Sequence, residues 1–300
     1  MPFTPRRPIE WKLRSRTLPL GQRTLVMGVV NVTPDSFSDG GRFFAPQAAA
    51  EAALAMLDDG ASIVDIGGES TRPGEHEAIG AAEEMDRVLP VIEEVLARRP
   101  DAILSVDTYK AATAQAALRA GVEIVNDVSG LLWDPAMAET CAAAACGFIL
   151  MHTRGRPAAW RSLPPLASSE VVPLVAHELR RQLEIALAAG IAPERLALDP
   201  GFGFGKIGAE NNALLAGMER LRGLGQPLVA GLSRKSFLGR VLAPLYAGQT
   251  APVTARGTAS IAASAAAVLA GADVLRAHDV RPALEAAAIA DAVLEAAREA

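Results

Sequence analysis

Eight short apolar runs in this chain end on polar residues. "LVMGVV" runs into Asn31, "SIVDIG" carries Asp65, "AILSVD" ends on Asp107, "VEIVND" on Asn126 and Asp127, "FILMH" on His152 and "RLALD" on Asp199. "PLVAGLS" reaches Ser233 with Lys235 just beyond, and "DVLRAHD" holds Arg276 and His278. One Asp or Asn in such a place is more often a helix N-cap than a ligand contact, because its oxygen satisfies free N–H groups of the next helix. Eight together reverse that expectation if the ends share a face. Asp107, Asn126 and Asp199 offer planar acceptors and donors suited to the edge of a flat heterocycle rich in N–H groups. A site built to accept such hydrogen bonds rejects analogues that lack them. Arg72 in "GGESTRPG", Lys235 in "SRKS" and Arg276 with His278 in "RAHD" supply cations suited to phosphate. The pattern describes a two-sided site, with a ring pocket below and an anion clamp above.

Other chemistries find less support. "GFGFGK" (Gly201 to Lys206) lacks the G-x-x-x-x-G-K-[ST] spacing of a phosphate loop and the G-x-G-x-x-G of a dinucleotide site. "GLSRK" places Lys235 where a nucleophile elbow requires glycine, which makes Ser233 a poor nucleophile. No His/Cys cluster has zinc spacing, so a metal here would be a hard cation held by oxygens such as that of Asn31 and a substrate phosphate. The formal charge of −5 argues against a general nucleic-acid binder, and Cys141 and Cys146, the only cysteines, read as small apolar packing residues in a reducing cytosol.

The elements that must position these residues follow from periodicity. Short apolar runs alternate throughout with longer Ala/Leu/Glu/Arg segments of helical spacing. Glycines at 60, 121, 190 and 271 stand where left-handed helix C-caps belong. Near-continuous apolar strands in eight strand–helix units predict an α/β fold, a (β/α)8 TIM barrel of residues 25–300, rather than the alternative open doubly wound sheet. The eight polar ends would then meet on one face. Residues 1–24 predict a short N-terminal arm or hairpin with "PLGQRT" as its turn, and "GRPAAWRSLPPLASS" an extended loop. No signal-peptide core is present, and "TASIAASAAAVLAGA" falls well short of the ~20 apolar residues of a membrane span. A cytoplasmic, membrane-free protein is expected.

With those residues named, the chain resembles the dihydropteroate synthase family from Leu25 to about Ala297. The resemblance rests on "MGVVNVTPDSFSDGG", "DIGGESTRPG", "SVDTYK", "NDVSG", "MHTRG", "LDPGFGFGK", "LSRKSFLG" and "RAHDV", in the family's order. It implies condensation of 6-hydroxymethyl-7,8-dihydropterin diphosphate with 4-aminobenzoate on a (β/α)8 barrel with Mg2+, in a homodimer, and sulfonamide inhibition. It further implies that Asp107, Asn126, Asp199 and Lys235 hold the pterin, and that Asn31, Arg72, Arg276 and His278 hold diphosphate, with Asn31 on the metal. Phe37, Thr71, Pro73, Phe204 and Ser236 would border the aminobenzoate. Asp39 would join Arg72, Lys235, Arg276 and His278 in catalysis, from a first loop that closes over the reaction. Gly40, Gly41, Gly67, Gly68 and Gly74 predict that Mg2+-diphosphate orders the first two loops and lets 4-aminobenzoate bind second. Phe204 has ordinary loop packing as an alternative role, Lys206 reads as a support for its loop, and Arg154 and Arg156 receive no catalytic part. A methyltetrahydrofolate-dependent methyltransferase and a non-catalytic pterin-binding module are the competing readings; "STRPG" with "RAHDV" speaks against the first.

Overall fold

The computed structural model describes residues 3–33, 45–70 and 78–299. The chain enters through an antiparallel hairpin, β1 (Ile9–Lys12) and β2 (Thr17–Leu20). Its turn lies at residues 13–16, where the Leu13 amide donates to the Arg16 carbonyl at 2.8 Å. "PLGQRT" is therefore not the turn, as the glycine had suggested, but the passage from β2 into the barrel. The true turn carries no glycine because a distant carboxylate holds it: the Ser15 amide donates to Glu123 at 2.8 Å.

Eight parallel strands follow among the described residues: β3 (Leu25–Asn31), β4 (Ile63–Gly67), β5 (Leu104–Asp107), β6 (Ile124–Asp127), β7 (Gly147–Met151), β8 (Leu196–Asp199), β9 (Val229–Gly231) and β10 (Val274–Ala277). They pair in chain order, β10 returns beside β3, and a parallel bridge from Leu198 to Leu228 joins β8 to the approach of β9. The sheet is thus closed into a barrel. Around it lie α1 (Ala45–Asp58), α2 (Ala81–Arg98), α3 (Ala111–Ala120), α4 (Met137–Ala144), α5 (Ser168–Ala188), α6 (Ala209–Ala216), α7 (Ser236–Val241), α8 (Gly257–Leu269) and α9 (Val280–Glu299). The four C-cap glycines all have positive φ; Gly121, at 114°, closes α3 on the Ala117 and Leu118 carbonyls. None of the described helices is long and apolar enough to cross a membrane. The supposed extended loop after β7 is shorter than expected, because Pro157–Ser162 form a 3-10 turn and the two closing serines already belong to α5.

Strand parity explains where the site lies. Residues on a strand alternate between faces, and one set, Met27, Ile63, Ile124, Ile149, Ala197, Val229 and Val274, forms a closed apolar layer with Trp11, Leu13 and Leu20 of the hairpin. These point into the barrel, and the hairpin plugs its N-terminal end. The intervening residues, such as Val64, Ile66, Val125, Phe148, Leu150 and Leu275, pack outward with the helices. One pleat above the apolar layer, the inward positions become Asp65, Asn126, Met151, Asp199, Gly231 and Arg276, with Asp107 at the same end of β5. The interior gains its carboxylates, amide and guanidinium within a two-residue step, while Val29 and Met151 remain apolar.

Candidate active site

At the centre of this polar layer Arg276 holds two carboxylates. Its Nε donates to Asp65 Oδ2 at 2.6 Å and its Nη2 to Asp107 Oδ2 at 2.6 Å. Asn126 donates from Nδ2 to the same Asp65 oxygen at 2.9 Å. Asp199 caps the turn beyond its own strand, accepting the Gly201 amide at 2.7 Å. Burial raises the Asp107 carboxyl to about 7, helped by Asp65 and resisted by Arg276. Burial likewise raises Asp199, against the Gly201 N–H and the Lys235 charge. Arg276 is held above its ordinary value because Asp65 and Asp107 outweigh the cost of burial. Gly67 leaves room here: a Cβ on it would press on that of Asp107 at 3.3 Å.

Lys235, the residue before α7, carries its ammonium 4.2 Å from the centre of the Phe204 ring. The preceding Arg234 has φ 58°, an uncommon conformation for a side chain larger than glycine, and its guanidinium grips Asp279 at 2.6 and 3.1 Å. That tight corner aims Lys235 inward. His278 Nδ1 lies 3.1 Å from Ser233 Oγ, and burial together with Arg276 lowers the imidazole to about 4. The ligand-free surroundings therefore favour the neutral imidazole of His278, where the residue types alone counted a cation. Asn31 is half-buried at the end of β3, and Ser236 is exposed on the first turn of α7. Phe204 is buried and meets Trp160 edge to face at 5.2 Å. Phe37, Asp39, Thr71, Arg72 and Pro73 lie outside the described residues.

Not every polar strand end joins the pocket. His152 follows inward-facing Met151, so the pleat turns it outward, where Nε2 meets Glu178 of α5 at 2.8 Å. Asp127 also faces away from the interior and accepts the Ser129 and Leu131 amides, each at 2.8 Å. Lys206 supports its loop: Nζ is buried and donates to the carbonyls of Gly201 at 2.8 Å and Phe204 at 3.1 Å. Arg154 ties Gly205 and Pro164 by their carbonyls, and Arg156 lies over the Trp133 ring. Three residues without an assigned role join the site instead. Asp65 is at its centre, and Met151 and Trp160 share an apolar cluster with Phe204 at its wall. The inward positions of Asp65 and Met151 follow from counting two residues on from Ile63 and Ile149.

A closed barrel with carboxylates, an amide and cations on the inward strand ends is the architecture of a pterin-binding enzyme, and the family model described as "Pterin binding enzyme" matches residues 27–278. The dihydropteroate synthase of Mycobacterium leprae is 44% identical over 271 residues, 90% of this chain and 94% of that one. Among solved structures, the Yersinia pestis dihydropteroate synthase in a sulfonamide drug complex superposes with a TM-score of 0.85 at 41% identity, covering 96% of this chain and all of the other. The Xanthomonas albilineans dihydropteroate synthase with 4-aminobenzoic acid gives 0.84 at 40% identity, covering 96% and 98%. The chain belongs to the dihydropteroate synthase family of pterin-binding enzymes.

Proposed function

We propose that the pocket joins 6-hydroxymethyl-7,8-dihydropterin diphosphate to 4-aminobenzoate, giving 7,8-dihydropteroate and diphosphate, the transferase reaction of this family in folate biosynthesis. The observation that carries the reading is the polar layer at the barrel's C-terminal end, where Asp107, Asn126 and Asp199 converge with Lys235 and Arg276. Asp107, Asn126, Asp199 and Lys235 would hold the pterin edge. Asn31, Arg72, Arg276 and His278 would hold the diphosphate, and Phe37, Thr71, Pro73, Phe204 and Ser236 would line the place of 4-aminobenzoate or a sulfonamide. Asp39 would complete the site from the first loop.

The chemistry asks for charge stabilisation rather than a protein nucleophile. The arylamine lone pair forms the new C–N bond, the C–O bond to diphosphate breaks with its electrons leaving on oxygen, and the amine proton passes to solvent. Arg276 and Arg72 stabilise charge growing on the leaving group, and His278 donates an N–H to it. Alignment of the two substrates lowers the barrier by several kcal/mol more. Among the described residues no three His, Cys, Asp or Glu side chains are grouped to hold a metal. The amide oxygen of Asn31 is a hard donor that suits Mg2+ if diphosphate oxygens and water complete the set. When bound, that ion supplies Lewis-acid stabilisation of the leaving group.

Two further expectations belong to this reading. Val241, Leu245, Val253 and Ile261 are exposed apolar side chains on and beside α7 and α8; a second copy of the chain would cover them in a homodimer, a state that sedimentation measures directly. Cys141 and Cys146 are buried free thiols, in keeping with a cytoplasmic home. The decisive experiment incubates the pure protein with the pterin diphosphate, 4-aminobenzoate and Mg2+. Mass detection of dihydropteroate is expected; pterin binding without product would leave a non-catalytic pterin-binding module.

A further inference from the structure

We propose that Asp65 is a positioning residue that acts through Arg276, anchoring the guanidinium so that Asp107 can be released to the incoming ring. The inference rests on the reading above, in which Asp107 accepts N–H groups of the pterin. In the ligand-free protein that acceptor is already engaged, because Arg276 Nη2 donates to Asp107 Oδ2 at 2.6 Å. The ring must therefore displace a charged hydrogen bond. Asp65 makes the exchange possible. It is fully buried, whereas the side chain of Asp107 is 15% exposed at the mouth of the same cluster. A single oxygen of Asp65 accepts both Arg276 Nε at 2.6 Å and Asn126 Nδ2 at 2.9 Å.

The consequence is a pivot. If Asp107 were the only counter-charge, a ring that took it would leave a buried guanidinium unpaired, which is strongly unfavourable. With Nε fixed on Asp65, only the Nη2 bond has to exchange and the charge stays neutralised. The second Asp65 oxygen, Oδ1, is buried with no hydrogen-bond partner among the described residues. It has lone pairs for the nitrogen that leaves Asp107, completing the two-pronged Arg–carboxylate geometry. The same contact orients the Asn126 amide, so one carboxylate sets both a ring contact and a clamp residue.

A double-mutant cycle tests this, with 6-hydroxymethylpterin as the probe because it lacks diphosphate and reports the ring pocket alone. Calorimetry on Asp65→Asn is expected to show ring affinity down about tenfold or more, a typical coupling for contacting groups. In an Arg276→Met background the same change should alter ring affinity less than about twofold, since no guanidinium remains to anchor and the side-chain oxygen of the substituted residue still accepts the Asn126 amide. It should also raise the melting temperature there, because it removes a buried carboxylate that has lost its charged partner. A merely structural role would move neither result in this way. Equal losses in both backgrounds would overturn the proposal. Should Asp65→Asn alone not fold, the doubly substituted protein is compared with Arg276→Met, and a tenfold weaker ring affinity would overturn it equally. Failure of the wild type to form dihydropteroate strikes the functional reading instead, so the two failures are distinguishable.

Discussion

Asp107 is poised between two states. Burial lifts its carboxyl to about 7 while Arg276 pulls the other way, so its ion pair is lost on mild acidification just where a pterin needs an acceptor. A ring that donates N–H groups selects the ionised form. Its affinity should therefore rise with pH through about 7 and level off above, because deprotonation no longer has to accompany binding. Titration of 6-hydroxymethylpterin across about pH 5–9 checks this, and Asp107→Asn should flatten the profile as well as weaken binding. His152 moves in the opposite sense. Burial and Lys206 lower it to about 4, so the unfolded chain takes up a proton below about 6.5 that the folded chain refuses. Its contribution to stability is whole at neutral pH and is lost on acidification, by about 2 kcal/mol between pH 6.5 and pH 5. Asp107 and Asp127, both raised by burial, gain stability over the same range. The His152 share is thus isolated by comparing denaturant unfolding of wild type and His152→Gln at the two pH values. A difference that does not change with pH would show that His152 is charged in the folded protein.

The segment after β8 shows how much an element can depend on one atom's absence. Gly201 has φ 67°, and a Cβ there would sit 1.9 Å from the His152 carbonyl oxygen. Gly201 must also keep its amide on Asp199 while its carbonyl receives Lys206. Gly201→Ala should cost roughly 2–5 kcal/mol, from strain in the left-handed region plus the backbone shift. It should weaken pterin binding as well, since Asp199 loses its orienting donor; chemical denaturation and calorimetry read the two effects separately. Much at this scale was legible in the chain. The strands, the C-cap glycines and the polar ends followed from spacing and residue type, and Asp107, Asn126, Asp199 and Arg276 do meet. What spacing alone did not give was which way each end faces: His152 was read with the pocket residues, yet it stands one residue past inward-facing Met151. Counting parity from Ile149 would have placed both. The hairpin turn was illegible for another reason, because Glu123 in a different part of the chain fixes it. The grip of Arg276 on Asp65 and Asp107 was equally hidden, since closure of the barrel brings β10, β4 and β5 around one axis.

Across the whole molecule the barrel separates its tasks by end. The apolar layer and the hairpin close one end, with Trp11 fully buried and its indole N–H donating to the Arg195 carbonyl at 2.9 Å. The polar layer opens at the other. Trp11→Ala should therefore destabilise the protein by about 3–5 kcal/mol through the cavity it leaves. Turnover per folded molecule should stay near that of wild type; denaturant unfolding and steady-state kinetics check both halves, and a large loss of turnover in the folded variant would show that the two ends are coupled. The plug also imposes an order on folding. Trp11, Leu13 and Leu20 precede every strand they pack against, yet their seat is lined by residues from Met27 to Val274. That seat exists only after the last strand has closed the ring. These apolar side chains must wait through nearly the whole of barrel formation, when exposed surface of this kind favours association between chains. An element that comes early in the polypeptide is thus expected to be among the last to find its place, its docking coinciding with completion of the barrel.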